Sequence, residues 1–427
     1  MDERSGESDG HSVPPRLAMM MFLQYVGLGA WLVPLTRYLP MAPERGGLGF
    51  SPLEVGFVYM TLAVGALVAP FVVGLLADRW FAAEKVIGWS HFFMAVSIAL
   101  AGWWCDIHKG LSANPAAAVG PLIGMMLVYS IGCQISLTLT NVISFRNLRD
   151  SEESFSYVRL VGTFGWVVGG VVGGWWLTPL SSQPLYFAGV ASLVMVAFSL
   201  LLPHTPPKGY GRPIAEVIGL PAIKMFRDRS VVVFAVVLFL GNMLNQFYIL
   251  FAARYLHERD VRLDLGVLGG WGPEVIMTLA QWCEIVCMAL TPWLVKRLGI
   301  KKLMVLGVSG WLVRNAFLYS DFIPGVVAIS IPLHGWSYAF FGMLGAIFVD
   351  REAPSHLRAG TQSLVTFFAS GPAVMAGYYV AARVVEARSQ NGITDWSAVW
   401  LIPFLGYMVA FAFFVVLFRE PPEQGGQ

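Results

Sequence analysis

The feature that most constrains this chain is a series of apolar segments, each long enough to cross a bilayer, that recur with short polar breaks from residue 16 to residue 418. An α-helix needs about 20 apolar residues to span the hydrocarbon. Segments of that kind lie at 16–38, 52–77, 84–104, 118–145, 156–178 and 183–203, then at 230–256, 268–296, 301–320, 323–350, 359–386 and 396–418. Inside lipid every backbone N–H and C=O must be satisfied within the protein, so long and uniformly apolar segments predict helices. The expected fold is an all-α membrane bundle of twelve transmembrane helices in two six-helix halves, 16–203 and 230–418. Between them, 204–229 contains Pro206, Pro207, Gly209, Gly211 and Pro213 and reads as a linker, with a short interfacial helix expected around Ala215–Phe226. Residues 1–15 and 419–427 read as polar tails.

Charge and cysteine content narrow the function classes. Charged residues make up 13% of the chain, against about 25% in soluble domains, and the segments leave no room for a sizeable soluble domain. That weighs against a membrane receptor that binds a solute and signals. A net charge of +2 supplies no field for nucleic acid. With a cytoplasmic amino terminus, eighteen Lys and Arg fall in inside segments and eight in outside ones, with Arg159 and Arg314 left within apolar segments. This positive-inside bias predicts a multi-pass inner-membrane protein with both termini in the cytoplasm. The first apolar segment is too long for a removable signal peptide and lacks a small-residue cleavage site, so it is expected to remain as the first helix. Cys105, Cys133, Cys283 and Cys287 lie in apolar segments without metal-type spacing, so no metal is expected. No phosphate-cradling loop or nucleophile triad appears, and no acid and base are paired at a spacing suited to an intramembrane hydrolase, so an enzyme is not expected.

A charge at the centre of a membrane helix costs about 2.5–3.5 kcal/mol on insertion scales, so intramembrane polar groups mark partners or a wet cavity. In the fifth segment Arg159, Thr163 and Trp166 fall at i, i+4 and i+7, placing a guanidinium, a hydroxyl and an aromatic ring on one face. That face suits a polar, planar solute, unless Arg159 instead snorkels to the cytoplasmic interface. In the eighth segment Thr278, Gln281 and Glu284 follow at steps of three, with Glu274 one turn earlier. Low dielectric disfavours a charged carboxylate, which makes Glu284 the candidate proton carrier; the alternative is a fixed ion pair with Arg159 or Arg314. The seventh segment carries Asn242, Asn245, Gln246 and Ile249 on one broad face, with Gln246 the leading candidate for amide hydrogen bonds to solute. The tenth carries His334, Tyr338 and Phe341 at i, i+4 and i+7, a face that either stacks against a ring or packs between helices. Gln24 and Trp31 in the first segment either line the cavity or pack. Arg314 reads as structural, because no polar face surrounds it.

Two short breaks echo each other: Gly74 to Trp80, with Asp78, Arg79 and Lys85, and Leu294 to Lys302, with Lys296, Arg297 and Lys301. The first resembles the loop motif of the major facilitator superfamily, which makes Asp78 and Arg79 gating and topology elements rather than solute ligands. The whole chain further resembles the nucleoside:proton symporter family of that superfamily. The likeness is carried by Phe22-Leu23-Gln24, Gly29 to Leu32, Gly74 to Trp80, Arg159 to Gly165, Gln281 to Glu284 and the signature Asn391-Gly392-Ile393-Thr394-Asp395-Trp396. The resemblance implies nucleoside contact at Arg159, Thr163, Gln246, Gln281 and Glu284, with Trp166 and Tyr338 in aromatic positions. Two departures stand out. Where the family has an aspartate beside the aromatic matched to Tyr338 this chain has Ala339, and a helix-seven asparagine becomes Ile249. The resulting expectation is nucleoside import by proton symport through alternating access, with the proton as coupling ion, no cofactor and a single chain sufficing. A porter for sugars or another small polar metabolite is the alternative.

Overall fold

The computed structural model describes residues 14–111, 115–148, 151–207, 215, 219–264, 270–320, 324–354, 357–390 and 392–419. The expected amino-terminal tail except its last two residues, residues 208–214 and 216–218 of the linker, the carboxy-terminal tail beyond Arg419, and Asn391 of the signature lie outside the described residues.

Eleven helices among the described residues are long and apolar enough to span a bilayer. In chain order the helices are α1 Pro15–Tyr38, α2 Pro52–Leu76, α3 Ala83–His108, α4 Pro115–Asn147 and α5 Ser151–Val171. Then comes α6 Gln183–Ser199, which is apolar but has only 17 residues. The rest are α7 Arg229–Glu258, α8 Pro273–Leu298, α9 Ile300–Ser320, α10 Val327–Glu352, α11 Gly360–Ala387 and α12 Trp396–Leu417. Three are less regular than their continuous apolar sequence suggests. Helix α8 opens with the short turn Pro273–Ile276 before its main run, and α11 is broken where Ser370 gives way to Gly371 and Pro372. In α10, Pro332 precedes a one-turn segment and Tyr338–Met343 forms a π turn, a distortion that recurs at functional sites. Of the expected interfacial helix, the described part is a 3₁₀ segment, Leu220–Arg227.

Local chemistry sets several boundaries. Ser51 and Glu54 form a reciprocal capping box at the start of α2, and Asp228 and Asp395 accept backbone N–H groups at the starts of α7 and α12. The basic turn between α8 and α9 is closed by Gly299 at φ +78°, a conformation that L side chains avoid. The signature after α11 forms a two-stranded hairpin, Ser389–Gln390 with Ile393–Thr394. The Trp396 indole donates to the Glu258 carboxylate at 2.6 Å and Arg254 donates to both Glu258 and Thr394, so the signature fastens α12 to the end of α7.

Helix α1 packs on α5 and α6, α2 on α4, α3 on α4 and α6, α7 on α11 and α12, and α9 on α12. The α1–α5 seam is close because Gly165, Gly169 and Gly173 meet the α1 backbone at Phe22, Val26 and Ala30, where any Cβ would overlap main chain. Small residues at four-residue spacing are how membrane helices approach without a hydrophobic driving force.

The apolar core differs between the two ends of the bundle. At the end where α1 finishes and α8 begins, one continuous core draws on α1, α2, α3, α4 and α6 together with α7 through α12. At the end that holds the starts of α1 and α7 there are two separate cores, one built from α1 to α6 and one from α7 to α12. Gly56 of α2 lies against Tyr378 and Ala382 of α11 at the fused end, and the Tyr59 and Tyr378 rings meet edge to face. Arg37 of α1 forms a nearly buried ion pair with Glu274 of α8 there.

Candidate functional site

A cavity of about 300 Å³ opens between α1, α5, α7, α8 and α10, with Leu137 of α4 completing its wall. It is mostly apolar with a few convergent polar groups, the usual composition of a small-molecule site. Helix α5 contributes Arg159, Thr163, Trp166 and Gly170, one stripe at helical spacing. Helix α8 contributes Glu274, Met277, Thr278, Gln281 and Glu284, and α10 contributes His334 and Tyr338. Tyr25 of α1 and Tyr248 and Ile249 of α7 add rings and an apolar surface.

Seven of the eight solute residues expected from sequence, Arg159, Thr163, Trp166, Gln281, Glu284, His334 and Tyr338, line this cavity together. Gln246 is not among the lining residues. Its side chain is buried, donates to the Asn242 carbonyl at 2.8 Å and packs where Gly377 lets α11 approach α7. Phe341 is fully buried against Phe234, Trp311 and Phe414, because the π turn advances each residue through a smaller angle than an α-helix does. Gln24 is also buried, accepting from Ser136 and His91, and the Trp31 indole donates to the Tyr129 hydroxyl. Ala339 is fully buried, whereas Ile249 faces the cavity. In the loop after α2, Asp78 is half-buried and Arg79 exposed.

Arg159 and Glu284 share the cavity without a direct ion pair. The Arg159 guanidinium lies 4.5 Å over the Tyr25 ring and its Nη1 has no hydrogen-bond partner, which places it on the cavity wall rather than snorkelling to the interface. Glu284 is 7% exposed, with the Arg159 guanidinium and the Thr163 hydroxyl as its polar neighbours. Among the described residues no basic group lies within 4.0 Å of the Glu284 carboxylate, so the alternative of a fixed ion pair with Arg159 or Arg314 is not what forms. The other wall carboxylate, Glu274, is occupied by Arg37. Ten residues separate them, roughly 15 Å along a helix.

Two features escape sequence reasoning. Tyr25 looks like an ordinary apolar-segment tyrosine, and only the fold turns it to the cavity, where it joins Tyr248, the neighbour of the polar face of α7. Arg314, fully buried behind the wall, donates to Asn245 Oδ1 at 3.0 Å, meets His334 Nδ1 at 2.9 Å and lies 4.2 Å over the Tyr248 ring. A lone arginine in an apolar segment was the available signal; its partners come from two other helices.

Comparison with known proteins identifies the family. A family model described as nucleoside H+ symporter matches residues 12–423. The putative nucleoside transporter YegT of Escherichia coli (strain K12) is 33% identical, over 96% of this chain and 94% of its own length. The nucleoside permease NupG of the same strain is 29% identical over 95% of both chains, and its xanthosine permease 29% identical over 97% of this chain and 98% of its own. The crystal structure of the nucleoside transporter NupG superposes with a TM-score of 0.79 at 27% identity, covering 95% of this chain and 99% of that one. Transporters of the POT family share the fold at 12–14% identity. The match along nearly the whole length, together with a solute-sized cavity carrying a few convergent polar groups inside a bundle of membrane-spanning helices, makes this chain a transporter and a member of the nucleoside H+ symporter family.

Proposed function

We infer that the protein imports nucleosides across the bacterial inner membrane by proton symport. The observation that carries the reading is Glu284, a carboxyl without an ion-pair partner, in the same cavity as Arg159, Thr163, Gln281 and several aromatic rings. Arg159, Thr163 and Gln281 supply hydrogen bonds to ribose hydroxyls and base edges, and Trp166 and Tyr338 flank the base as flat apolar surfaces. Glu284 takes up a proton on the outer side and gives it up on the inner side, so that solute and proton travel together. Burial without a direct ion-pair partner is what makes the neutral form accessible. Gln246, tied to its own helix here, reaches solute only if α7 and α11 shift against each other.

The architecture behind this is a major-facilitator bundle of twelve helices in two six-helix halves, with α6 as the short sixth member and the solute site between the halves. A single chain is taken to suffice for transport. The distribution of Lys and Arg supports cytoplasmic termini, and the fused core then closes the outer face while the split face opens inward. Asp78 and Arg79 sit at that inner face as gating elements. The proton is the coupling ion and no cofactor takes part.

Uptake of radiolabelled uridine or adenosine into proteoliposomes, with and without an imposed pH gradient, tests the reading. Accumulation above equilibrium only with the gradient is expected. Uptake unaffected by the gradient leaves a facilitator, and no uptake of any nucleoside removes the function. Ile249, an apolar side chain at a family amide position, favours a sugar porter as the second reading. Thermal stabilisation of the purified protein by nucleosides or by sugars separates the two.

A further inference from the structure

The pair formed by Arg314 and His334 fixes the hydrogen-bonding character of one cavity wall. An arginine side chain has only donors, and it carries hydrogens on every nitrogen. The 2.9 Å contact between Arg314 Nη1 and His334 Nδ1 therefore requires Nδ1 to accept, so the neutral imidazole carries its proton on Nε2. Arg314 is itself immobilised: it is fully buried, donates through Nη2 to Asn245 Oδ1 and lies over the Tyr248 ring. The His334 ring stacks on the same tyrosine at 5.0 Å with 23° between planes, which fixes its orientation. His334 is only partly buried and lines the cavity, and Nε2 lies on the ring edge away from Arg314. Among the described residues Nε2 has no hydrogen-bond partner.

Other groups on the wall add to the same bias. Arg159 can only donate, and Glu284 gives up acceptor capacity whenever it carries a proton. Proton loading thus adds a donor to the wall.

We propose that Arg314 is a positioning residue that holds His334 as a permanent Nε2–H donor at the cavity wall, and that this donor selects nucleosides with a 6-oxopurine base over those with a 6-aminopurine base. A 6-oxo group accepts the His334 proton, whereas a 6-amino group sets one donor against another and leaves both unsatisfied. The selectivity rests on the nucleoside reading, and names the class of base the site prefers.

Inosine and adenosine differ at C6 and at the adjacent N1, a donor in inosine and an acceptor in adenosine, and serve as probes, titrated into the purified full-length protein by calorimetry; the His334 variant isolates the contribution of this donor. Inosine is expected to bind at least about tenfold more tightly, the usual consequence of leaving a buried donor unsatisfied. His334→Phe keeps a ring over Tyr248 but removes the N–H, and it is expected to bring the two ligands within about twofold of each other. Arg314→Met leaves the imidazole free to exchange tautomers and is expected to narrow the ratio while His334 remains in place. Equal binding of the two nucleosides by the unaltered protein overturns the proposal and leaves the nucleoside function standing, as does an undiminished ratio in His334→Phe. If neither these nor any other nucleoside binds, the functional reading falls and the selectivity falls with it.

Discussion

The two ends of this bundle are built from the same helices yet hold together differently. At the end where α1 finishes, a single core runs through nearly all of them and the Arg37–Glu274 pair spans α1 and α8. At the other end, α1 to α6 and α7 to α12 each close on a core of their own. Burial is what stabilises contact between helix groups, so the fused end resists opening and the split end does not. For an alternating-access carrier the lesson is that the barrier to reversing the cavity lies in the fused end, and that a few buried polar contacts there set its height.

The largest expected effect concerns what the two ends are coupled to. Glu284→Gln is expected to abolish accumulation driven by a pH gradient while sparing exchange of labelled for unlabelled nucleoside, measured in the same proteoliposomes. Uptake by the unaltered protein rises as the outside is acidified, because proton loading at Glu284 is favoured at lower pH, and in the variant that dependence is flat. Unchanged concentrative uptake in Glu284→Gln would remove its coupling role.

Next in size is the latch itself. Arg37→Ala strands Glu274 in a nearly buried position, a loss worth about 3–5 kcal/mol when one partner of a buried pair is removed. The variant is expected to populate the state with the fused end open, visible as faster labelling of cysteines introduced near Leu32. Arg37→Ala combined with Glu274→Ala is expected to fall between the variant and the parent; if the single and double variants label alike, the pair is not a latch.

Smaller effects separate wall residues from their supports. Arg159→Ala and Gln281→Ala are expected to weaken nucleoside binding by about 1.5–3 and about 0.5–1.5 kcal/mol, the range for charged and neutral hydrogen bonds. Gln246→Ala is expected to lower thermal stability at the α7–α11 seam more than affinity in this conformation. The opposite ranking, with Gln246→Ala costing more affinity than Gln281→Ala, would show that the solute-bound state turns Gln246 inward. The smallest effect is at the signature hairpin: Trp396→Phe loses the hydrogen bond to Glu258 and is expected to lower stability by about 1 kcal/mol without changing transport.

Much of this was legible in the sequence, for identifiable reasons. The spans stood out because a bilayer tolerates so few polar residues, and the same scarcity singled out Arg159, Gln281 and Glu284. The breaks at Pro332 and Gly371 were hidden inside continuous apolar runs. Gln246 and Phe341 fell outside the cavity because spacing gives the relative angle between residues on a helix, not which way the helix faces. Close packing at Gly377 and the π turn of α10 decide that rotation. Arg314 was read as structural for want of polar neighbours in its own segment; its neighbours come from α7 and α10.

The most direct measurement places spin labels across each end, at Glu44 and Arg388 on the fused end and at Trp80 and Lys302 on the split end, all exposed, and reads both distances in transport-active vesicles. Adding nucleoside at acidic pH is predicted to bring a population in which the first pair moves apart as the second draws together. Distances that stay the same at both ends while solute is being carried would contradict the account.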